Sequence, residues 1–216
     1  MASDIKEYQK YYEQYPDQHY LTIPFERYVG LTKVFRDIPD DGDIAELGVG
    51  YGGTTCLLSD RFVDKTIYAF DTFKGFKPLP KKYTKNESPR WKDWGTETIY
   101  WPVVEDTLSM LKNVIMKKGI FPETAKDVNT KFSLVHLDVD IYLSTLYGLE
   151  FFFDKIVPGG FIVIDDLFSE NFKGSSFPQV RRAVEDFYKN KNQDYRDFID
   201  FQDDIGQGII KFDYID

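Results

Sequence analysis

The feature that most constrains this chain is a set of apolar runs that stop abruptly at carboxylates or glycines. Ile162-Val163-Ile164 runs into Asp165-Asp166, and Leu134-Val135-His136-Leu137 runs into Asp138. Neither run alternates with polar residues, so a strand built from it has both faces covered. Five such strands are expected, at Asp43–Gly48, Thr66–Asp71, Ile99–Val104, Phe132–Asp138 and Phe161–Asp165. Helices near 52–63, 105–118 and 142–156 separate them. Strands divided by helices imply right-handed crossovers and a mostly parallel sheet, an α/β fold. A helix near 177–190 and strands near 195–201 and 208–214 would close the sheet, with Gly206-Gln207-Gly208 turning into an edge strand. Two helices, about 4–15 and 24–37, precede it, the second opened by Pro24.

The 216 residues suit one domain, 1–216, with 1–40 as its N-terminal helices. A net charge of −9 repels phosphates and anionic lipids, so neither a nucleic acid nor a membrane is an expected partner. No apolar run approaches the roughly 18 residues that cross a bilayer. The charged start lacks the apolar stretch of a signal peptide, and Cys56 alone can form no internal disulfide. A cytoplasmic location is expected; self-association into a homo-oligomer is left open.

In open α/β sheets ligands sit beyond the carboxyl ends of the strands. The first of those ends reads Glu46-Leu47-Gly48-Val49-Gly50-Tyr51-Gly52-Gly53-Thr54-Thr55. Gly48, Gly50 and Gly53 spell G-x-G-x-x-G, and Asp71 ends the next strand, which matches a dinucleotide fingerprint. A dinucleotide, however, lays its pyrophosphate on the helix N-terminus, and Glu46 would repel it. S-adenosylmethionine carries no phosphate; its ammonium and sulfonium are cations that an acid attracts. Asp71 can accept from the ribose hydroxyls of either cofactor. The bland alternative is a tight strand-to-helix turn with no ligand. The candidate cofactor residues are Glu46, Gly48, Gly50, Gly52, Gly53, Thr54, Asp71 and Thr72. Asp106, in Glu105-Asp106-Thr107-Leu108, reads first as a helix N-cap and second as a cofactor contact.

His136-Leu137-Asp138-Val139-Asp140-Ile141-Tyr142 and Ile164-Asp165-Asp166 end two strands expected to lie close in space. Asp138, Asp165 and Asp166 then converge with no basic residue nearby in sequence. Such a group holds a cation or carries raised pKa values. Hard oxygen ligands suit Mg²⁺, with Mn²⁺ or Ca²⁺ as alternatives, and His and Cys are too few for zinc. A cation beside a hydroxyl stabilises negative charge developing on its oxygen, and a carboxylate such as Asp138 can take the proton. Asp140 reads as a cap of the following helix, and His136 first as a satisfied core histidine and second as a catalytic base.

Together these residues resemble the macrocin-type O-methyltransferase family, which methylates sugar or phenolic hydroxyls in natural products and surface glycans. The likeness rests on Ile44 to Gly53, Phe70-Asp71-Thr72-Phe73-Lys74-Gly75-Phe76, Glu105 to Leu108, His136 to Tyr142, and Pro158-Gly159-Gly160 through Asp166. It continues through Val180-Arg181-Arg182-Ala183-Val184. The resemblance implies a Rossmann-like class I methyltransferase fold, a seven-stranded, mostly parallel sheet flanked by helices. It also implies that Asp138, Asp165 and Asp166 bind Mg²⁺, that Asp138 is the leading candidate base, and that Glu46, the loop glycines and Asp71 hold S-adenosylmethionine. The N-terminal portion and the segment after Asp71 depart from the family pattern.

That segment, 72–97, reads either as a lid loop or as a solvated loop whose lysines only aid solubility. It is rich in lysine within an acidic chain, and Lys81, Lys82 and Arg90 would face an anionic or nucleotide-linked sugar, with Tyr142 as a further substrate contact. The expected activity is methyl transfer to a hydroxyl of a small molecule, most naturally a sugar. An NAD(P)-dependent oxidoreductase and a non-catalytic cofactor-binding module are the alternatives.

Overall fold

All six residues of Phe132–Leu137 are buried, and this strand lies at the middle of a seven-stranded sheet. The computed structural model describes residues 6, 8–10, 13, 23–74, 101–168 and 177–213. Its strands are β1 (Asp43–Leu47), β2 (Ile67–Asp71), β3 (Val114–Lys118), β4 (Phe132–Leu137), β5 (Ile156–Asp165), β6 (Ile199–Gln202) and β7 (Gln207–Lys211). The helices are α1 (Phe25–Lys33), α2 (Gly53–Arg61), α3 (Trp101–Ser109), α4 (Tyr142–Phe152) and α5 (Pro178–Asn190). The strand order is β3-β2-β1-β4-β5-β7-β6; β7 runs antiparallel to β5 and β6, and the other pairs are parallel.

Each face of the sheet carries a core. On one side, Phe121, Phe132 and Phe152 pack with Val184, Phe187 and Tyr188 of α5. On the other, Tyr28, Leu31 and Val34 of the α1 region meet Leu57 and Leu58 of α2 over Ile44, Leu134 and Val163. This double cover is why β4 and β5 read as unbroken apolar runs. Asn113 joins α2 to the start of β3: its amide donates to the carbonyls of Ser59, Phe62 and Lys65 at 3.3, 3.1 and 3.2 Å. The Ser59 carbonyl is among those that a helix end leaves without intrahelical partners. Among the described residues no helix is long and apolar enough to cross a membrane.

One stretch departs from the sequence reading. Residues 101–104, expected in a strand, belong to α3, and the expected helix 105–118 ends early, giving way to β3. Val104 and Leu108, four residues apart, are both buried against Val49 and Cys56. A helical stripe therefore wins over the β preference of the valines. β3 is an edge strand, with Ile115 43% exposed and two lysines at its end, so it lacks the apolar run of a central strand. Of the expected first helix, residues 6, 8–10 and 13 are described and are helical.

Candidate active site

The strand register assembles the site. Leu47 of β1 is level with Phe70 of β2 and Leu137 of β4, and Leu137 is level with Ile164 of β5. The next residue on each strand is Gly48, Asp71, Asp138 and Asp165, so these four share one edge. The strand order reverses between β1 and β4, the place where open α/β sheets form a ligand crevice.

The turn after β1 has Gly48, Gly50 and Gly52 at φ of 91°, 53° and 87°. A side chain at Gly48 would start 1.8 Å from the Asp138 carbonyl oxygen, whereas one at Gly50 would meet nothing within 4 Å. The turn is thus pressed onto β4 at Gly48 and open above Gly50. The Asp71 carboxylate accepts from the Val49 and Gly50 amides at 2.8 and 3.0 Å and from Phe73 at 2.7 Å. Gly53 and Thr54 lie in the first turn of α2, and the Thr72 hydroxyl accepts from the Lys74 amide at 3.2 Å. An open glycine cradle beside the acid that ends β2 fits S-adenosylmethionine.

Glu46 sits beneath the turn rather than in its mouth. It is 1% exposed, accepts from the Thr55 hydroxyl, and lies 3.2 Å from His136 Nδ1. His136 Nε2 is in turn 3.3 Å from Asp165 Oδ2, so an acid–imidazole–acid chain crosses β1, β4 and β5. Burial by itself would lower the His136 pKa, but Asp165 and Glu46 override it and raise it to about 10. Burial pushes the Glu46 carboxyl above its ordinary value; Asp165, despite its burial, is held well below by His136 and Arg27. Asp165 is the acid that pairs with both His136 and Arg27, and Glu46 braces the turn through Thr55 and His136. His136 is the satisfied core residue expected of it.

The carboxylates converge, with two differences from the sequence reading. Asp138, Asp140 and Asp166 each place an oxygen within 4.8 Å of the other two. Asp140 caps nothing: the N-cap of α4 is Ile141, with no side-chain cap. Asp140 and Asp166 have φ of 57° and 56°, the left-handed turn that aims both side chains at Asp138. Asp165, expected among the metal ligands, instead accepts from Gln207 Nε2, Arg27 Nη1 and His136. Oxygen donors alone, at this spacing, fit a divalent cation such as Mg²⁺.

Burial and the neighbouring Asp165 push the Asp138 carboxyl up to about 7, against the pull of Arg27 and His136. Its side chain keeps 32% of its surface in solvent, and water tempers that shift. Burial, Asp138 and Asp166 raise Asp140 in the same direction.

The residue that sequence reasoning missed is Arg27. Its guanidinium reaches Asp165 Oδ2 at 2.5 Å, Asp166 Oδ1 at 2.9 Å and Asp138 Oδ1 at 3.4 Å. The signal was a cation three and four residues before Gly30 and Leu31, on the buried face of α1. Asp106 lies exposed within α3 rather than at its start, so it is not the helix N-cap that the sequence suggested. The Tyr142 hydroxyl donates to Asp186 of α5 at 2.7 Å. Lys81, Lys82, Arg90 and residues 75–97 of the expected lid lie outside the described residues.

A seven-stranded sheet with one antiparallel strand, an open glycine turn after β1 and acids at the ends of β2, β4 and β5 defines a class I methyltransferase. The chain belongs to the macrocin-O-methyltransferase (TylF) family, whose model matches residues 8–202, and is an S-adenosylmethionine-dependent O-methyltransferase. It is 24% identical over 208 residues to mycinamicin III 3''-O-methyltransferase of Micromonospora griseorubida, covering 86% of this chain and 77% of that one. Among solved structures, the O-methyltransferase NovP superposes with a TM-score of 0.68 at 18% identity, covering 88% of this chain and 81% of its own. The calicheamicin methyltransferase CalS11 gives 0.60 at 17% identity, covering 98% and 93%.

Proposed function

We propose that the chain methylates a hydroxyl of a sugar, free as a nucleotide-linked unit or carried on a natural product, with a divalent cation at the carboxylate cluster. The observation that carries this reading is that Asp138, Asp140 and Asp166 converge one strand away from the glycine turn, with the Asp138 amide bonded to the Leu47 carbonyl at 2.8 Å. The sugar acceptor follows the relative that acts at the 3'' oxygen of mycinamicin III. Gly48 to Gly53 with Asp71 would hold S-adenosylmethionine, and Asp138, Asp140 and Asp166 the cation, with Asp165 behind them. When bound, the first supplies an electrophilic methyl on a cationic sulfur and the second Lewis acidity toward the acceptor oxygen.

The chain's own residues do the rest. Asp138, the most solvent-accessible acid of the cluster's strand ends, accepts the proton of the acceptor hydroxyl. His136 and Gln207 hold Asp165 still. The crevice between the β1 and β4 turns brings acceptor and donor together, which removes much of the entropic barrier.

The test is methyl transfer to a panel of nucleotide-linked and macrolide-borne sugars, with Mg²⁺ and with a chelator. Transfer that stops on chelation, and falls about 10²- to 10⁴-fold in Asp138→Asn, is expected. Undiminished transfer in excess chelator would sink the role of the metal; methylation of amines but of no sugar would sink the acceptor class.

A further inference from the structure

Arg27 comes from α1, outside the strand ends that supply every carboxylate it meets. Its Nη2 donates to Asp166 at 2.9 Å and its Nη1 lies 3.4 Å from Asp138, and these are two of the three acids whose oxygens meet within 4.8 Å. A guanidinium keeps its charge at any pH a protein survives, and two cations drawing on the same oxygens repel one another strongly at such distances. We propose that Arg27 and a divalent cation compete for Asp138 and Asp166, so that Arg27 sets how tightly the cluster takes up metal.

The surroundings are built for such an exchange. Tyr28, Gly30 and Leu31 are buried and anchor α1, while the Arg27 side chain keeps 27% of its surface in solvent. The guanidinium can therefore withdraw by rotation of its own side chain, with the helix in place. Asp165 is not orphaned by that withdrawal, because Gln207 Nε2 and His136 Nε2 still serve it. Asp138 and Asp166 are the ones left facing a vacated cation position, and they are shared with Asp140. Arg27 brings one positive charge to the oxygens of Asp138 and Asp166, and a divalent ion brings two to the same oxygens.

This inference rests on the metal reading above, and the experiment separates the two. Mn²⁺ is titrated calorimetrically into the native chain, Arg27→Gln and Arg27→Lys, and the rise in Tm with Mn²⁺ is measured for each. Removing the competitor should tighten Mn²⁺ binding at least roughly tenfold in Arg27→Gln, the scale of a partly buried charge pair, and enlarge its Mn²⁺-induced rise in Tm. Arg27→Lys keeps the charge that supports folding, yet one ammonium cannot span two carboxylates as a planar fork does. It should bind Mn²⁺ more tightly than the native chain and less tightly than Arg27→Gln. If Arg27→Gln does not fold, the order of Arg27→Lys against the native chain decides. Equal or weaker binding in the variants overturns the competition while leaving the metal site standing. No binding in any of the three removes the metal reading and this inference with it.

Discussion

Gly48 and Asp138 touch backbone to backbone. The Asp138 amide donates to Leu47 at 2.8 Å, and a Cβ on Gly48 would lie 1.8 Å from the Asp138 carbonyl oxygen. The glycine turn and the first carboxylate of the cluster are therefore one rigid unit, and moving either displaces the other. Gly48→Ala adds a backbone clash to a φ of 91°. It should lower stability by about 3 kcal/mol or more, read as a drop in the urea midpoint at unchanged slope. A midpoint within error of the native value would mean the two turns are not in contact.

The Glu46–His136–Asp165 chain should behave as a buried network. Replacing His136 with Leu leaves two acids, 1% and 3% exposed, against an apolar side chain. Breaking a buried charge pair in this way costs about 3–5 kcal/mol. His136→Leu should accordingly be far less stable than Val135→Ala on the same strand is for its lost methyl groups alone. Urea unfolding of both variants settles the order, and near-native stability of His136→Leu would show that the chain bears no charge.

The helix at 101–109 has its own signature. Leu108 is fully buried and lies over Gly52, while Val103 is 39% exposed. Leu108→Ala should cost about 2–4 kcal/mol, and Val103→Ala should stay within about 0.5 kcal/mol. The reverse ranking would restore the strand expected from the valines.

Cys56 offers a chemical check on the same packing. Burial, with Asp60 and Glu46 nearby, pushes its thiol up to about 12. A thiolate forms only as pH rises toward the pKa, so at about pH 8, where an ordinary cysteine is partly ionised, Cys56 stays protonated as well as enclosed. The native chain should take up no thiol reagent there, and one equivalent after denaturation. Labelling of the native chain at the rate of a free thiol would contradict its enclosure by α2, α3 and β2.

Much of this protein was legible before any coordinates. Residues covered on both sides must be apolar along their whole length, so β4 and β5 announced themselves as unbroken runs. Loops that turn sharply at a strand end need glycine, so Gly48, Gly50 and Gly52 marked the turn after β1. Carboxylates at the ends of buried strands have no packing reason to be there, and Asp71, Asp138, Asp165 and Asp166 marked the edge where those strands end together. Two local misreadings came from residues whose surroundings are not in their own segment. The valines of α3 favour strand until Val49 and Cys56 supply a helical groove, and β3 is an edge strand without a signature of its own.

What only the tertiary structure decided is which charges meet. Whether Asp140 or Asp165 joins Asp138 and Asp166 depends on backbone turns of 57° and 56° and on a glutamine 42 residues away. Arg27 reaches the cluster from more than 100 positions upstream. Hydrophobic period is a local property, because every neighbour along a strand or helix shares one environment, and it can be read in order. Electrostatic partnership depends on distance in space, and for this site only the folded chain sets that distance.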